Sequence, residues 1–550
     1  MNAGGALVPA HSTETGLQAN RQTRGAEAKS DDRNPGGRPV IWVEGGGLSE
    51  QASAGEEAIL GAGAPVYQRG PTLVRPVLQE VDAADGRRTA VAQLAPIGLP
   101  YMRDLLCRSA EWRRYDRQRG AGVRIDPPSP VAQLILHRYG EWRFRPVVGV
   151  LTTPTMRPNG SLLLEPGYDA ATRFILCDPP AMPPIPHSPS RRQALTALEV
   201  LDGLLEEFPF ADAASRSVAL SALITPVVRG AFPVAPMHVM SAPEAGSGKS
   251  YLLDVAAAIA TGHPCPVMAA GRTEEETEKR LGAALLAGQP IIALDNVNGD
   301  LGGDALCQII ERPIVEIRIL GKSERVRVET RSTTFATGNN IRVVADLARR
   351  VLRCRLDAKR ERPELRQFRR KPVATVLADR GRFVAAALTV VRGFIAAGLP
   401  RQAPRLASFE RWSDLVRSAL LWLGRPDPVE TMKAGRAEDP TRQMMLAVFA
   451  AMRGAIGIST PATASELIRL ANTRVAASGE GGVEGTQEAW RHPALHEALL
   501  TAAGKDGVID ARELGKWLSR HRDCIGGRLR LEGKTDRHGH AARWWLVRCD

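Results

Sequence analysis

Ser241-Ala-Pro-Glu-Ala-Gly-Ser-Gly-Lys-Ser250 decides how the rest of this 550-residue chain is read. Apolar residues around Met237-His-Val-Met240 precede it and predict a strand, and Tyr251 to Ala260 follows with the pattern of a helix. Strand, glycine-rich turn, Lys-Ser and helix together make a phosphate-binding loop. The backbone N–H groups of Glu244, Ala245, Gly246, Ser247, Gly248, Lys249, Ser250 and Tyr251 turn toward a polyphosphate, and the helix N-terminus adds its positive dipole end. In that role Lys249 reaches the outer phosphates and the Ser250 hydroxyl ligates Mg²⁺, so ATP and Mg²⁺ are the expected ligands. One position departs from the full spacing: Pro243 stands where such loops carry their first glycine.

Two further strand ends supply polar groups. Gln289-Pro-Ile-Ile-Ala-Leu-Asp295-Asn296 is an apolar run closing on a carboxylate, 46 residues beyond Lys249. Buried parallel strands read in this way, and ligands gather at their C-terminal ends, where Asp295 could hold the metal. Asn296 occupies the place where a general base is usual, and an amide cannot serve as one. Taken alone, the same residues would also suit a core strand ending in an Asx turn. Thr333-Thr-Phe-Ala-Thr-Gly-Asn339-Asn340 is a third such run, 44 positions after Asp295, whose amides could meet a terminal phosphate and the lytic water. Arg349 and Arg350 follow within Asp346-Leu-Ala-Arg-Arg350, the second of them ten residues after Asn340. They are spaced to stabilise transition-state charge on a neighbouring subunit's nucleotide, or to end a helix with favourable charge.

The ordered set SAPEAGSGKS, IIALDN, ATGNN and DLARRV resembles the AAA+ class of ATPases, and within it the superfamily 3 and phage or plasmid primase-helicase (D5-like) branch. The resemblance covers about 190 to 360, a third of the chain. It implies a P-loop parallel-sheet core flanked by helices, a homo-oligomeric ring (a hexamer in many relatives) with nucleotide between subunits, and single-stranded DNA in the central pore. Catalytic roles then fall to Lys249, Asp295, Asn296, Asn339, Asn340, Arg349 and Arg350, with Ser250 and Asp295 on the metal. Between the second and third motifs, Val315 to Val328 alternates on both sides of Gly321-Lys322-Ser323, a hairpin signal. In the pore reading Lys322 and Arg325 grip phosphates through charge; a solvated surface hairpin has the same pattern. Nothing in residues 39 to 180 supplies the paired aspartates of a primase.

The remainder of the chain is read by composition and periodicity. Residues 1–38 are polar and aperiodic and are expected to be a disordered tail; 39–177 mix strand and helix signals as an α+β domain of unassigned role. Six prolines in 178–190 mark a linker, 191–360 carry the ATPase core, and 361–457 form a helical extension. In 458–550, three short helices and a closing hairpin resemble a winged helix, with Arg528, Arg530, Lys534, Arg537, His538 and Arg543 on the wing and duplex DNA as its partner; a protein-docking module would read similarly. Asp506 to Glu513 mimics half of a calcium loop but offers too few carboxylates, and Asp510 is expected to cap a helix.

Net charge of +13 suits a polyanion partner, although Arg-, Ala- and Gly-rich composition alone would produce it. The seven cysteines lack metal-ligand spacing and read as reduced thiols. No run matches a secretory leader or a membrane span, so the cytoplasm is the expected location, with no membrane partner. These readings converge on an ATP-dependent DNA helicase or translocase serving replication of a phage, plasmid or integrated mobile element. Two alternatives use the same residues: an AAA+ protein-remodelling or loading ATPase, and a nucleotide-gated DNA-binding regulator.

Overall fold

The computed structural model describes residues 37–271, 273–318, 325–437, 439–476, 488–535 and 542–549. The chain divides into two compact units, Met1–Ala64 with Gly98–Arg138, and Pro65–Ile97 with Tyr139–Asp550. The stretch 39–177, read as one domain, is therefore shared between them, and the expected tail up to residue 36 lies outside the described residues.

In the larger unit a five-stranded, wholly parallel sheet runs in the order Met268–Ala269, Ile291–Leu301, Thr333–Val343, Met237–Ala242, Val351–Arg355. Its three inner members each open on a run of four or more buried residues, as expected of parallel strands covered on both faces. Every residue of the strand preceding the glycine-rich turn, here called the loop strand (Met237–Ala242), is buried. The acid strand (Ile291–Leu301) continues six residues past Asp295 through irregular register, and the asparagine strand (Thr333–Val343) lies between it and the loop strand. The expected short runs are thus longer than the apolar pattern reveals, since pairing with a neighbour carries each strand beyond its hydrophobic part.

Helix Arg191–Asp202 begins directly after the proline-rich segment, where Ser190 and Gln193 close a reciprocal capping box. It shares the sheet's core with Ala213–Ile224, Lys249–Thr261 and Arg380–Ala396. Of the helices expected in 361–457, those up to Met432 bury residues in this core, whereas Pro440–Ile456 buries Met445, Val448, Phe449 and Met452 in a separate one. That second core also holds helices Ala464–Ala471, Pro493–Ala503 and Ala511–Arg520 against an antiparallel sheet ordered Ala462–Thr463, Ala542–Arg548, Leu529–Thr535, Ile525–Gly526. Asp510 caps the last helix by accepting from the N–H groups of Arg512 and Glu513. Among the described residues no helix is long and apolar enough to cross a membrane.

Two buried polar groups tie the larger unit together. Asp254, fully buried on the helix that follows the glycine-rich turn, accepts from Arg87 Nη2 at 2.6 Å and from the Cys265 N–H at 2.9 Å. The first bond anchors the hairpin of Thr72–Asp82 and Arg88–Pro96, which also meets the core through Thr89 Oγ1 to the Pro264 carbonyl. His238, on the loop strand, packs its ring against Phe335 and shares a 2.6 Å hydrogen bond with Ser221 Oγ. Burial pushes its pKa down to about 3, so the native imidazole is neutral.

The unfolded chain takes up a proton at this site near pH 6.5 and the native chain does so only near pH 3. Stability contributed by neutral His238 is therefore complete above about pH 6.5 and is lost as pH falls toward 3, with a slope approaching ~1.4 kcal/mol per pH unit. Denaturant unfolding of the parent and of His238→Gln at about pH 7.5 and about pH 5 checks this: the parent must lose more stability on acidification than the variant.

Candidate functional site

The glycine-rich turn closes at two positions that only glycine adopts without strain. Gly246 has φ +72° and Gly248 has φ +94°, the latter acting as the cap of helix Lys249–Thr261. A Cβ on Gly246 would also stand 2.9 Å from Glu364 Cβ. Ser247 is buried and its hydroxyl donates to the Glu244 carbonyl at 2.7 Å, which tightens the turn. Pro243, the departure from the usual spacing, accepts at its carbonyl from Asn340 Nδ2 at 3.4 Å.

Register then brings the three strand ends together. Ala242 of the loop strand lies beside Asn339, and Asn298 of the acid strand lies on the other side of Asn339. Lys249 Nζ donates to Asn339 Oδ1 at 2.6 Å and to the Glu244 carbonyl at 3.1 Å. Ser250 Oγ donates to Asp295 Oδ1 at 3.3 Å. Burial lowers the Lys249 pKa, while Asp295 and Glu244 act in the opposite direction by favouring its charge.

Sequence reasoning missed Thr337. Its hydroxyl donates to the same Asp295 Oδ1 and accepts from the Asn296 N–H at 3.2 Å. The period-2 alternation of a strand was the available signal, because Thr337 and Asn339 share a face of the asparagine strand. Gly338 between them has no room for a side chain, since a Cβ would run into the Val297 carbonyl. Asn296 sits at the register break with φ +52°, exposed, while Asp295 keeps its place facing Ser250. Asn340 also has positive φ, +47°, and is the residue that bonds Pro243.

The donor set at Ser250 and Asp295 is a hydroxyl and a carboxylate, hard oxygen ligands of the kind Mg²⁺ takes when phosphate and water complete its shell. Among the described residues no group of three or more His, Cys, Asp or Glu side chains forms a self-sufficient metal site. Beside the loop, a cavity of about 430 Å³ is walled by Phe208, Pro209, Tyr251, Phe368 and Pro372 as well as Gly246. The Phe208 and Tyr251 rings stack at 6.3 Å. The outer wall belongs to a basic strap after the last sheet strand. It is pinned by the Glu207 carboxylate, which accepts from the Arg369 and Arg370 N–H groups at 3.1 and 2.9 Å and has its pKa lowered by them.

The two candidate arginines differ. Arg350 is buried between Glu311 and Asp346, its side chain 5% exposed. Arg349 is half exposed, paired to Asp346 at 2.6 Å, and lines a different cavity with Asp439, Arg442 and His521. Hydrogen bonding by Arg349 holds the Asp346 pKa down at about 2. Arg325 begins the second strand of the hairpin Ile314–Arg318/Arg325–Glu329 and is exposed; Lys322 lies outside the described residues, as do Arg537 and His538.

No protein-family model matches this chain, and no curated protein sequence matches it. Among solved structures, the apo C-terminal region of NrS-1 aligns over 86% of this chain and 96% of its own, at 12% identity and a TM-score of 0.35. SCCmec type IV Cch, described as an active helicase, aligns over 87% of this chain and 95% of its own, at 11% identity and 0.29. JCV helicase aligns over 46% and 74%, at 15% identity and 0.19.

Gly246→Ala is expected to strain the turn and to displace Glu364, lowering stability by about 1–3 kcal/mol. Thermal unfolding checks it; a melting temperature equal to the parent's would show that the turn does not need glycine there.

Proposed function

We propose that this chain binds and hydrolyses ATP with Mg²⁺ at the three strand ends, and couples turnover to movement along DNA as a helicase or translocase in replication of a mobile element. The observation that carries the reading is the pair of contacts Lys249 Nζ–Asn339 Oδ1 and Ser250 Oγ–Asp295 Oδ1, made by residues 90 and 45 positions apart in sequence. Neutral and hydroxyl partners hold the lysine and the carboxylate at the spacing where a triphosphate and its cation would take over.

In this reading Lys249 meets the outer phosphates, and Asn339, already on the ammonium, orients the terminal one. Asn340 fastens the loop rather than the nucleotide. Both donors to Asp295 fall on Oδ1, so Oδ2 is left to orient water, and Thr337 fixes the carboxylate's rotation. When bound, Mg²⁺ supplies charge neutralisation between phosphates. The aromatic cavity beside Gly246 suits a purine base in size and lining. Arg349, exposed and outside that cavity, is the arginine suited to a neighbouring subunit in a homo-oligomeric ring; Arg350 is its buried support. Motor pore contacts fall to Lys322 and Arg325, and the C-terminal sheet with its three helices serves as a winged-helix-like module. In this scheme residues 191–360 serve hydrolysis, the helices up to Met432 support it, and 458–550, together with helix Pro440–Ile456, serve duplex contact. A slowly hydrolysing DNA-binding regulator is the second reading, favoured by Asn296, which is exposed at the position of a general base and cannot act as one.

ATP turnover measured with and without single-stranded DNA separates them. The motor requires strong stimulation by DNA, loss of turnover by about 100-fold or more in Lys249→Ala, and a fall of about tenfold in Thr337→Val at unchanged fold. Turnover in Lys249→Ala equal to the parent's would end the proposal. Charge reversal of Lys322 is expected to abolish the stimulation and leave basal turnover intact.

A further inference from the structure

The smaller unit carries a surface that the ATPase residues leave unexplained. Its three strands pair in the order Val40–Trp42, Glu111–Asp116, Ala121–Arg124. Ile41 lies opposite Trp112, and both are buried on the face covered by helices; a Cβ on Gly55 of helix Leu48–Gly61 would meet Leu106, Ile135 and the Trp112 ring. Residues directly opposite one another share a face, and successive residues alternate. The other face therefore presents Trp42, Arg113 and Arg124 in one cross-strand row and Tyr115 with Gly122 in another.

That face is unusual for this chain. Trp42 is 40% exposed and is the one tryptophan of nine that is exposed; Tyr115 is 60% exposed. The indole lies across the sheet with its far edge on Gly122, where any Cβ would collide with the ring. Gly122 has no positive φ, so space alone accounts for the glycine. Positive charge surrounds the rings. Arg124 is exposed with no hydrogen-bond or ion-pair partner among the described residues, and Arg117 in the turn of the same hairpin shares that condition. The two acids on these three strands are already engaged: Glu111 with Arg113 at 2.6 Å, and Asp116 with the N–H groups of Gln118 and Arg119 in the turn.

We infer that this sheet face binds single-stranded nucleic acid, with Trp42 and Tyr115 stacking on bases, and Arg124 and the turn residue Arg117 on phosphates. Two aromatic rings set among uncompensated guanidinium groups match a strand whose bases are free to stack, and match a duplex poorly because its base faces are internal. An apolar protein partner would leave the arginines desolvated and unpaired. The inference is independent of ATP turnover.

The test uses the full chain without nucleotide, with labelled oligo(dT) and oligo(U) of about 20 nucleotides and a duplex of equal length, followed by anisotropy. Trp42→Ala and Tyr115→Ala should each weaken single-strand binding by about 5- to 50-fold, Trp42→Phe by much less, with duplex affinity unchanged. Gly122→Val, which displaces the indole without removing a ring, should weaken it too, and Arg124→Glu should reduce the salt slope by about 1. Circular dichroism confirms that each variant is folded. Lys249→Ala must bind oligo(dT) as the parent does, so failure of the ATPase reading leaves this result intact. Parental affinity in a Trp42→Ala/Tyr115→Ala double variant, or equal loss for duplex and single strand, would overturn the inference.

Discussion

The ion–dipole contact between Lys249 Nζ and Asn339 Oδ1 is the point on which the rest of the larger unit turns. It exists because the asparagine strand is inserted between the loop strand and the acid strand, so that Asn339 reaches Lys249 while Thr337 reaches Asp295. A sheet ordered by sequence would separate Asn339 from the lysine and leave the ammonium facing backbone carbonyls alone. The parallel register is in turn held by specific packing: a shift of one residue would carry His238 to the opposite face and part it from Ser221 and Phe335.

Around that contact the protein uses different means for different degrees of order. The turn is set by backbone conformation at Gly246 and Gly248, Asp295 by two hydroxyl donors on one oxygen, and the cavity beside the loop by rings and prolines contributed from segments far apart in sequence. The strap that completes the cavity is joined mainly by exposed polar contacts to Glu206 and Glu207. Such contacts exchange readily with water and each contributes little net stability. The inner parts of the site are therefore stiff, and its outer wall is not.

Much of this was legible in the sequence because the residues that meet here are polar groups closing apolar runs. The Gly-Ser-Gly-Lys-Ser turn, Asp295 and Asn339 were each visible as polar residues closing an apolar run, and the strands expected before them are present. The hairpin on either side of Lys322 was legible from period-2 alternation alone, although its turn is not among the described residues. What could not be read was anything dependent on chain paths crossing: Thr337 meeting Asp295, Arg350 buried by Glu311, or Phe368 folding back beside Tyr251. Arg349 and Arg350 are adjacent and identical in type, and only packing distinguishes the buried one from the exposed one. The sharing of residues 39–177 between two units was hidden for the same reason, since composition does not change where the chain leaves one core for another.

The carboxylate of Asp254 has a mechanical implication. It sits on the very helix that begins with Lys249, and its two donors come from a distant hairpin and from the segment just beyond the helix. Sliding or rotating that helix would strand a negative charge in a dry interior, at a cost of several kcal/mol. The helix is thus a fixed abutment. Any displacement around the loop must be borne by parts with wet, replaceable fastenings, and the basic strap over the loop is the segment so fastened.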